Sequence, residues 1–536
     1  MDTKIISRNK IFDNENLMFT ILSFLDQNLL QRINIRQVNT KLKILLDKPV
    51  FNRSLYITPE STSCLQYIST LSGLQKLDLY DCKNIKECDL QTLSNLTHLE
   101  KLILYRHYGP GNNYITNDSL IYLTPLINLK IIKLRLNISM QGIIYLLKLP
   151  KLKALINDIC TNNYELSMYS HIKQLEVLKL SHIKITNFSS LIMLTQLSIL
   201  SLEYCSTLTD DQLQHLFELT RLEKLSLCSC DQITDDGLLY LSSLTNLTYL
   251  NLSSTNIIGH GLEYISHLTL LNKLDLSVDN IDGDYFKYLS PLTNLIKLIL
   301  RNCQSLKSGL QYLTHLPIQD LILDDSHITT IQPIFNFAQL RYLDLDCVIP
   351  IHNEKYKFNL HKLRVLASSY ESLQYFEHND LTNLERLWIS IKNKISQDEI
   401  LKLKGLNNLN TLSLNITNMD GKCLNMLSNL DINYFSLNEC DIDTERLIDV
   451  IYNMTNLQHL TIDTMPLITD DLLKFVSNNL TKLKYISLTN LDAITDNGIK
   501  YLTKLNNLDR IYIDGCNIVK KNFSHLFNFN VIINTN

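Results

Sequence analysis

A chain of 536 residues sets 50 Lys and Arg against 54 Asp and Glu, a formal net charge of -4. That balance offers no global attraction to phosphate, which needs a clustered excess of Lys and Arg, so neither nucleic acid nor a membrane is expected as a partner. Residues Met1 to Arg8 lack an apolar signal core and no apolar run is long enough to cross a bilayer, so the expected location is intracellular, cytoplasmic or nuclear. Asn-x-Ser/Thr triplets such as Asn95-Leu96-Thr97 and Asn246-Leu247-Thr248 arise by chance in an Asn-rich chain and do not argue for secretion.

In chain order, residues 1–13 read as a tail and residues 14–53 as a small all-α module. Leu17, Met18, Ile21, Leu22 and Leu25 mark one face of an amphipathic helix, with Phe24 beside it. Asp26 to Asn28 interrupt it before a second apolar group at Leu29, Leu30 and Ile33 and a third around Val38, Leu42, Leu45 and Leu46. Three helices this short bury little alone and need a partner or a neighbouring lid.

From residue 54 to 536 one unit returns roughly every 24 residues, about nineteen times. Apolar residues fall at a first position and then at plus three, plus five, plus eight and plus ten or eleven: Leu222, Leu225, Leu227, Cys230, Ile233; Leu295, Leu298, Leu300, Cys303, Leu306. The alternation in Leu225-Ser226-Leu227 predicts a short strand with the leucines inward. Thr234-Asp235-Asp236-Gly237-Leu238 predicts a capped helix start. The expected architecture is α/β: a leucine-rich-repeat solenoid, a horseshoe with parallel strands on its concave face and helices on its convex face. The Thr-Asp phrase recurs at Thr209-Asp210, Thr469-Asp470 and Thr495-Asp496, which makes its carboxylates caps in preference to acid/base catalysts.

Cys82, Cys205, Cys230, Cys303, Cys440 and Cys516 each fall eight residues after a first position, where a thiol packs beneath the turn. Cys228-Ser229-Cys230 has no second close Cys or His pair, so no metal and no cofactor are expected. No Ser-His-Asp, Cys-His, phosphate-loop or paired-carboxylate arrangement stands outside the repeat, and an enzyme is not expected.

The run Cys230-Asp231-Gln232-Ile233-Thr234-Asp235-Asp236-Gly237-Leu238 is similar to the cysteine-containing (AMN-type) leucine-rich repeats of F-box/leucine-rich-repeat proteins, and residues 14–53 resemble an F-box. They carry its Phe24-Leu25-Asp26, its Leu29-Leu30 pair, its Val38-Asn39-Thr40-Lys41 phrase and its closing Asp47-Lys48-Pro49-Val50-Phe51. They depart from it at Asp13-Asn14, where Leu-Pro is customary, and at Leu42, where an aromatic is common. The resemblance implies a substrate-recognition subunit of a Skp–cullin–F-box ubiquitin ligase. Leu17, Ile21, Leu22, Phe24, Leu25, Leu29, Leu30 and Val38 would then dock a Skp-type adaptor, and through it cullin, or pack the module. The alternative is a stand-alone binding or inhibitory scaffold whose N-terminal helices only cap the stack.

A target protein is expected on the outward strand positions. Lys76, Lys101, Lys133, Arg135, Lys153 and Lys179 read as a basic N-terminal third. Asp320, Asp324, Tyr342, Asp344 and Asp346 read as an acidic patch followed by Arg386 and Trp388. Tyr434, His459, Tyr485, Arg510 and Tyr512 mix aromatic and polar character. The sole tryptophan and the tyrosines are the stronger anchor candidates, because large aromatics and Arg dominate interfaces while scattered Lys is commonly solvated. Tyr105–Tyr114 and Cys347–Tyr356 break the repeat length and read as loops, and Val531-Ile532-Ile533 as a last strand.

Overall fold

The computed structural model describes residues 54–56, 68–69, 73–79, 85–104, 115–135, 138–158, 166–183, 185, 188–328, 330–346, 360–369, 376, 381–391, 403, 406–416, 427, 430–440, 442–518 and 530–534. The F-box-like segment, Cys82 and the segments 105–114 and 347–356 lie outside these residues. The chain divides into two compact units, Met1–Ile257 and Ile258–Asn536.

The first unit carries strands β1 Ser54–Tyr56, β2 Lys76–Asp78, β3 Lys101–Leu104, β4 Ile131–Leu134, β5 Ala154–Asn157, β6 Val177–Ser181, β7 Ile199–Glu203, β8 Lys224–Ser226 and β9 Tyr249–Asn251. The second carries β10 Lys273–Asp275, β11 Lys297–Ile299, β12 Asp320–Ile322, β13 Tyr342–Leu345, β14 Val365–Ser369, β15 Arg386–Ile391, β16 Thr411–Ile416, β17 Tyr434–Asn438, β18 His459–Asp463, β19 Tyr485–Thr489, β20 Arg510–Asp514 and β21 Asn530–Asn534. Within each unit every strand pairs in parallel with the next, one repeat per strand, and β21 adds the expected last strand beside β20. The inward residues of this ladder, such as Leu225, Leu298, Leu343 and Leu387, are fully buried.

The bend leaving the strand has one recurrent solution. Seven residues after the first position, His182, Tyr204, Ser229, Ser254, Asn302, Asp325, Glu439, Thr464, Asn490 and Gly515 all take left-handed backbone, φ 51° to 59°. That residue swings the chain so that the one after it, a cysteine at 205, 230, 303, 440 and 516, turns inward. The Cys230 thiol donates to Leu202 O of the preceding repeat at 3.0 Å and the Cys303 thiol to Leu276 O at 3.4 Å. Burial pushes the Cys303 thiol up to about 12, so it stays a neutral packing group. The Cys205 thiol of the preceding repeat, together with burial, pushes the Cys230 thiol up, so thiols of consecutive repeats neighbour each other, which the repeat spacing did not suggest.

The return path differs from the expected run of helices. True α-helices occur at Glu87–Leu93, Met140–Leu146, Asp210–Leu213, Thr444–Ile451, Asp470–Asn479 and Asp496–Tyr501, while most other repeats use 3-10 turns such as Asp235–Leu241 and Gly283–Leu289. A 3-10 turn rises about 2.0 Å per residue against about 1.5 Å for an α-helix, so it covers the same return distance with fewer residues.

The recurrent Thr-Asp phrase links repeats. Thr234 is the N-cap of its own turn, and its backbone N–H and hydroxyl donate to both carboxylate oxygens of Asp210 in the repeat before, at 2.9 and 2.6 Å. Thr495 does the same to Asp470 at 2.8 and 2.6 Å. These carboxylates are caps, as expected, but they cap the next repeat's start. An asparagine ladder supplies a second link: Asn128, Asn246, Asn294 and Asn507 each donate a side-chain N–H to the Thr97, Thr220, Thr269 and Thr481 carbonyls one repeat earlier, at 2.8 to 2.9 Å. Each bond satisfies a backbone acceptor that a turn would otherwise leave open.

Candidate functional site

Outward strand residues line up in columns across neighbouring strands because parallel pairing keeps one register. In the second unit the first column runs Lys273, Lys297, Asp320, Tyr342, Val365, Arg386, Thr411, Tyr434, His459, Tyr485, Arg510. The second runs Asp275, Ile299, Ile322, Asp344, Ala367, Trp388, Ser413, Ser436, Thr461, Ser487, Tyr512. The register therefore brings together the acidic residues of β12 and β13 and places Trp388 two strands beyond Asp344.

Two cations that the sequence reading passed over border this patch. Lys297 Nζ lies 3.1 Å from Asp320 Oδ2 and 5.8 Å from the centre of the Tyr342 ring. Arg301 Nε lies 3.7 Å from Asp324 Oδ2. Their signal in the sequence was their repeat position, two and six residues after Leu295, one strand ahead of the acids. Beyond them the negative charge crowds. Burial raises the Asp324 carboxyl above its usual range, and repulsion from Asp344, Asp325 and Asp346 adds to it, against the pull of Arg301. Asp344 is 8% exposed, and burial raises its carboxyl despite a 3.3 Å hydrogen bond from the Asp346 backbone N–H. Burial and the nearby Asp344 charge likewise raise the Tyr342 phenol. Trp388 is half-buried and Arg386 exposed.

Farther along the first column, Tyr434, His459 and Tyr485 form a continuous aromatic row with ring centres 5.9 and 5.8 Å apart. Burial and the positive charges of Lys484 and Arg510 lower the His459 imidazole below its ordinary range, so it is neutral at pH 7. The Tyr512 hydroxyl lies in the second column and bonds Asp514 at 3.1 Å. The aromatic candidates thus separate into a stacked row and a single tethered phenol.

The basic N-terminal third does not form one column. Lys76 and Lys101 share the first column of the first unit with Ile131, Ala154, Val177 and Ile199, while Lys133 and Lys179 belong to the second. Lys153 precedes its strand and pairs with Glu176 at 2.5 Å, and Lys133 pairs with Asp158 at 3.2 Å. The open middle of this face is an apolar strip, which the Lys spacing concealed. Among the described residues no group of three His, Cys, Asp or Glu is placed to hold a metal, and no helix is long and apolar enough to cross a membrane.

One parallel strand per repeat, a left-handed bend before an inward cysteine and capped return turns define the chain as a leucine-rich-repeat solenoid. It matches no family model, and no curated protein sequence matches it. Among solved structures it is similar to an internalin (inlF) from Listeria monocytogenes, at 20% identity and TM-score 0.33 over 74% of this chain and 88% of that one. It is also similar to the TLR13–ssRNA13 complex, at 17% identity and TM-score 0.46 over 89% and 83%, and to the plant peptide hormone receptor RGFR1 bound to RGF2, at 15% and 0.37 over 90% and 81%. At these values the repeat geometry itself carries the assignment of the fold.

Proposed function

We propose that the chain is the non-catalytic, substrate-recognition subunit of a Skp–cullin–F-box ubiquitin ligase. Residues 14–53 tether it to a Skp-type adaptor and so to cullin. The strand face of the second unit holds a target protein, with Asp320, Asp324, Tyr342, Asp344, Asp346, Arg386, Trp388, Tyr434, Tyr485 and Tyr512 as the contact candidates. Ubiquitin transfer belongs to other subunits, and this chain contributes proximity. The observation that carries target binding is the column Asp344, Ala367, Trp388: a buried carboxylate and a half-buried indole held outward on hydrogen-bonded strands, where binding costs little further ordering. The tether rests on the F-box-like text of residues 14–53.

Calorimetry of the full chain with a Skp-type adaptor tests the tether, with Leu25→Asp and Leu29→Asp as variants checked for folding by circular dichroism. Binding by the parent that the folded variants lose is the expected result. Absence of binding by the folded parent overturns the ligase role and leaves a solenoid that blocks or scaffolds its partner.

A further inference from the structure

We infer that the strand face of the first unit is a second docking surface, and that it takes an acidic amphipathic helix of a partner protein. The apolar side of that helix lies across β4 to β7 on Ile131, Ile156, Val177 and Ile199, and its carboxylates meet Lys101, Lys179 and Lys224. This goes beyond the target-binding face of the second unit and does not rest on the ligase role.

The fold does not ask for apolar residues here, because the inward Leu102, Ile132, Leu155, Leu178 and Leu200 already fill the core. β-Branched residues suit a strand, but threonine does so without apolar exposure, and Thr411 and Thr461 hold the same two columns in the second unit. In the first unit the register instead sets Ile131, Ala154, Val177 and Ile199 on four successive strands, with Ile103 and Ile156 beside them in the second column. Outward isoleucines of the second unit are covered by their neighbours: Ile299 and Ile322 are each 5% exposed. Ile103, Ile131, Ile156, Val177 and Ile199 stay only half-buried. A contiguous open strip of this kind, unlike a single exposed side chain, marks a binding surface.

The charges around the strip choose the partner. Lys130, Lys133 and Lys153 are paired with Glu100, Asp158 and Glu176 at 3.0, 3.2 and 2.5 Å. Glu203 accepts hydrogen bonds from the Ser201 and Ser226 hydroxyls at 2.8 and 3.2 Å. Lys101, Lys179 and Lys224, by contrast, have no carboxylate within ion-pair distance among the described residues, and they stand at the two ends and in the middle of the strip. The other acids of this face, Asp78 on β2 and Glu223 just before β8, flank the strip, and neither stands over it. An incoming carboxylate therefore meets cations that the fold has not already paired.

The dimensions fit a helix. Lys101 on β3 and Lys224 on β8 are five strand spacings apart, about 24 Å at 4.8 Å each. An α-helix of about sixteen residues has that length, and its diameter of about 10 Å spans the two columns, about 6.6 Å apart along a strand. Its apolar residues at i, i+3, i+4 and i+7 face the strip while flanking glutamates reach the lysines. An extended segment crossing the same strands would leave its own N–H and C=O groups against apolar side chains, because the strands beneath are already paired; a helix satisfies them internally.

Fluorescence anisotropy of a labelled Leu/Glu peptide of that length, with leucines at the helical spacing, tests this on the full-length chain. A Leu/Lys peptide of the same pattern and a Leu/Glu peptide of scrambled order serve for comparison, and both are expected to bind at least about tenfold more weakly. Lys179→Glu and Ile156→Ser are each expected to weaken the Leu/Glu helix about tenfold; both alter outward side chains, and circular dichroism checks the fold. Lys474→Glu, exposed on the Asp470–Asn479 helix, and Trp388→Ala are expected to match the parent. Equal binding of either comparison peptide would mean non-specific adhesion, equal weakening by Lys179→Glu and Lys474→Glu diffuse attraction, and weakening by Trp388→Ala a site on the other unit. Each of these overturns the assignment, as does parent-like binding by Ile156→Ser. Self-association of the full chain in sedimentation, abolished by Ile156→Ser, would put a second copy on the strip and overturn it as well. Leu25→Asp is expected to leave peptide binding unchanged. Loss of adaptor binding alone therefore refutes the ligase role, and loss of peptide discrimination alone refutes the strip.

Discussion

The two strand faces share a backbone and differ in what they present. In the first unit the middle of the face is Ile131, Ala154, Val177 and Ile199, and two of the lysines near it are tied to Asp158 and Glu176. In the second, the same first column carries Asp320, Tyr342 and the Tyr434–His459–Tyr485 row, and the second column, which in the first unit holds Lys133, Ile156 and Lys179, carries Asp344 and Trp388. Hydrogen-bonded register fixes where an outward side chain stands, and the residue at that place decides which partner it suits. A solenoid can therefore change its chemistry along its length without changing its fold.

The shared backbone is where the largest effect is expected. A Cβ added at Gly283 would sit 1.8 Å from the Leu306 carbonyl oxygen of the next repeat, a clash with main chain that no rotamer relieves. Gly283→Ala should lower stability by about 3 kcal/mol, read as a fall in the urea midpoint. Gly237→Ala brings a Cβ to 2.3 Å from Asp210 Oδ1, a side chain that can move at the expense of its bonds to Thr234. A loss of about 2 kcal/mol is expected, most of it absent when Asp210→Ala is the background; full additivity of the two changes would refute the inter-repeat cap.

The faces themselves can be exchanged. Ser226, 5% exposed, occupies in the first unit the column place of Asp344 and donates to Glu203 at 3.2 Å. Ser226→Asp should cost about 1 to 2 kcal/mol at pH 7 and much less at pH 3, where the new carboxyl is protonated. Asp344→Asn should act in the opposite direction. Its folded carboxyl titrates above the unfolded one, so the native state is relatively stabilised at low pH and loses that stabilisation as pH rises through the folded value. The variant should therefore exceed the parent in urea midpoint at pH 7 and lose its advantage below the ordinary carboxylate range.

The smallest effect belongs to His459. With its imidazole held below the unfolded value, the unfolded chain binds the proton more readily and stability falls as pH drops through about 6.5. His459→Gln should flatten the parent's decline between pH 7 and pH 5, and an unchanged slope would assign that decline to other groups.

Much of this was legible in the sequence. Leu225, Leu227, Cys230 and Ile233 were placed inward by spacing alone, and all four are fully buried. Thr234 was readable as a cap because a hydroxyl before an acidic turn has one favourable use there. That the acid capping it is Asp210, a repeat away, was not readable, because local pattern carries no information on which coil lies beneath. The acidic patch and Trp388 were visible as residue types on outward positions, whereas Lys297 and Arg301 went unseen until pairing set them one strand from Asp320 and Asp324. The run of lysines misled for the same reason, since adjacency in a column depends on register.

The sequence by itself determined the parallel repeat, the inward leucines and cysteines and the capped turns, because each follows from side-chain periodicity and backbone satisfaction within a few residues. The tertiary structure decided which charges neutralise one another, which carboxylate is left buried between Ile322 and Ala367, and that three rings meet in a row. Those facts depend on lateral contact between residues about a repeat apart, and only the stacking of one coil on the next creates it.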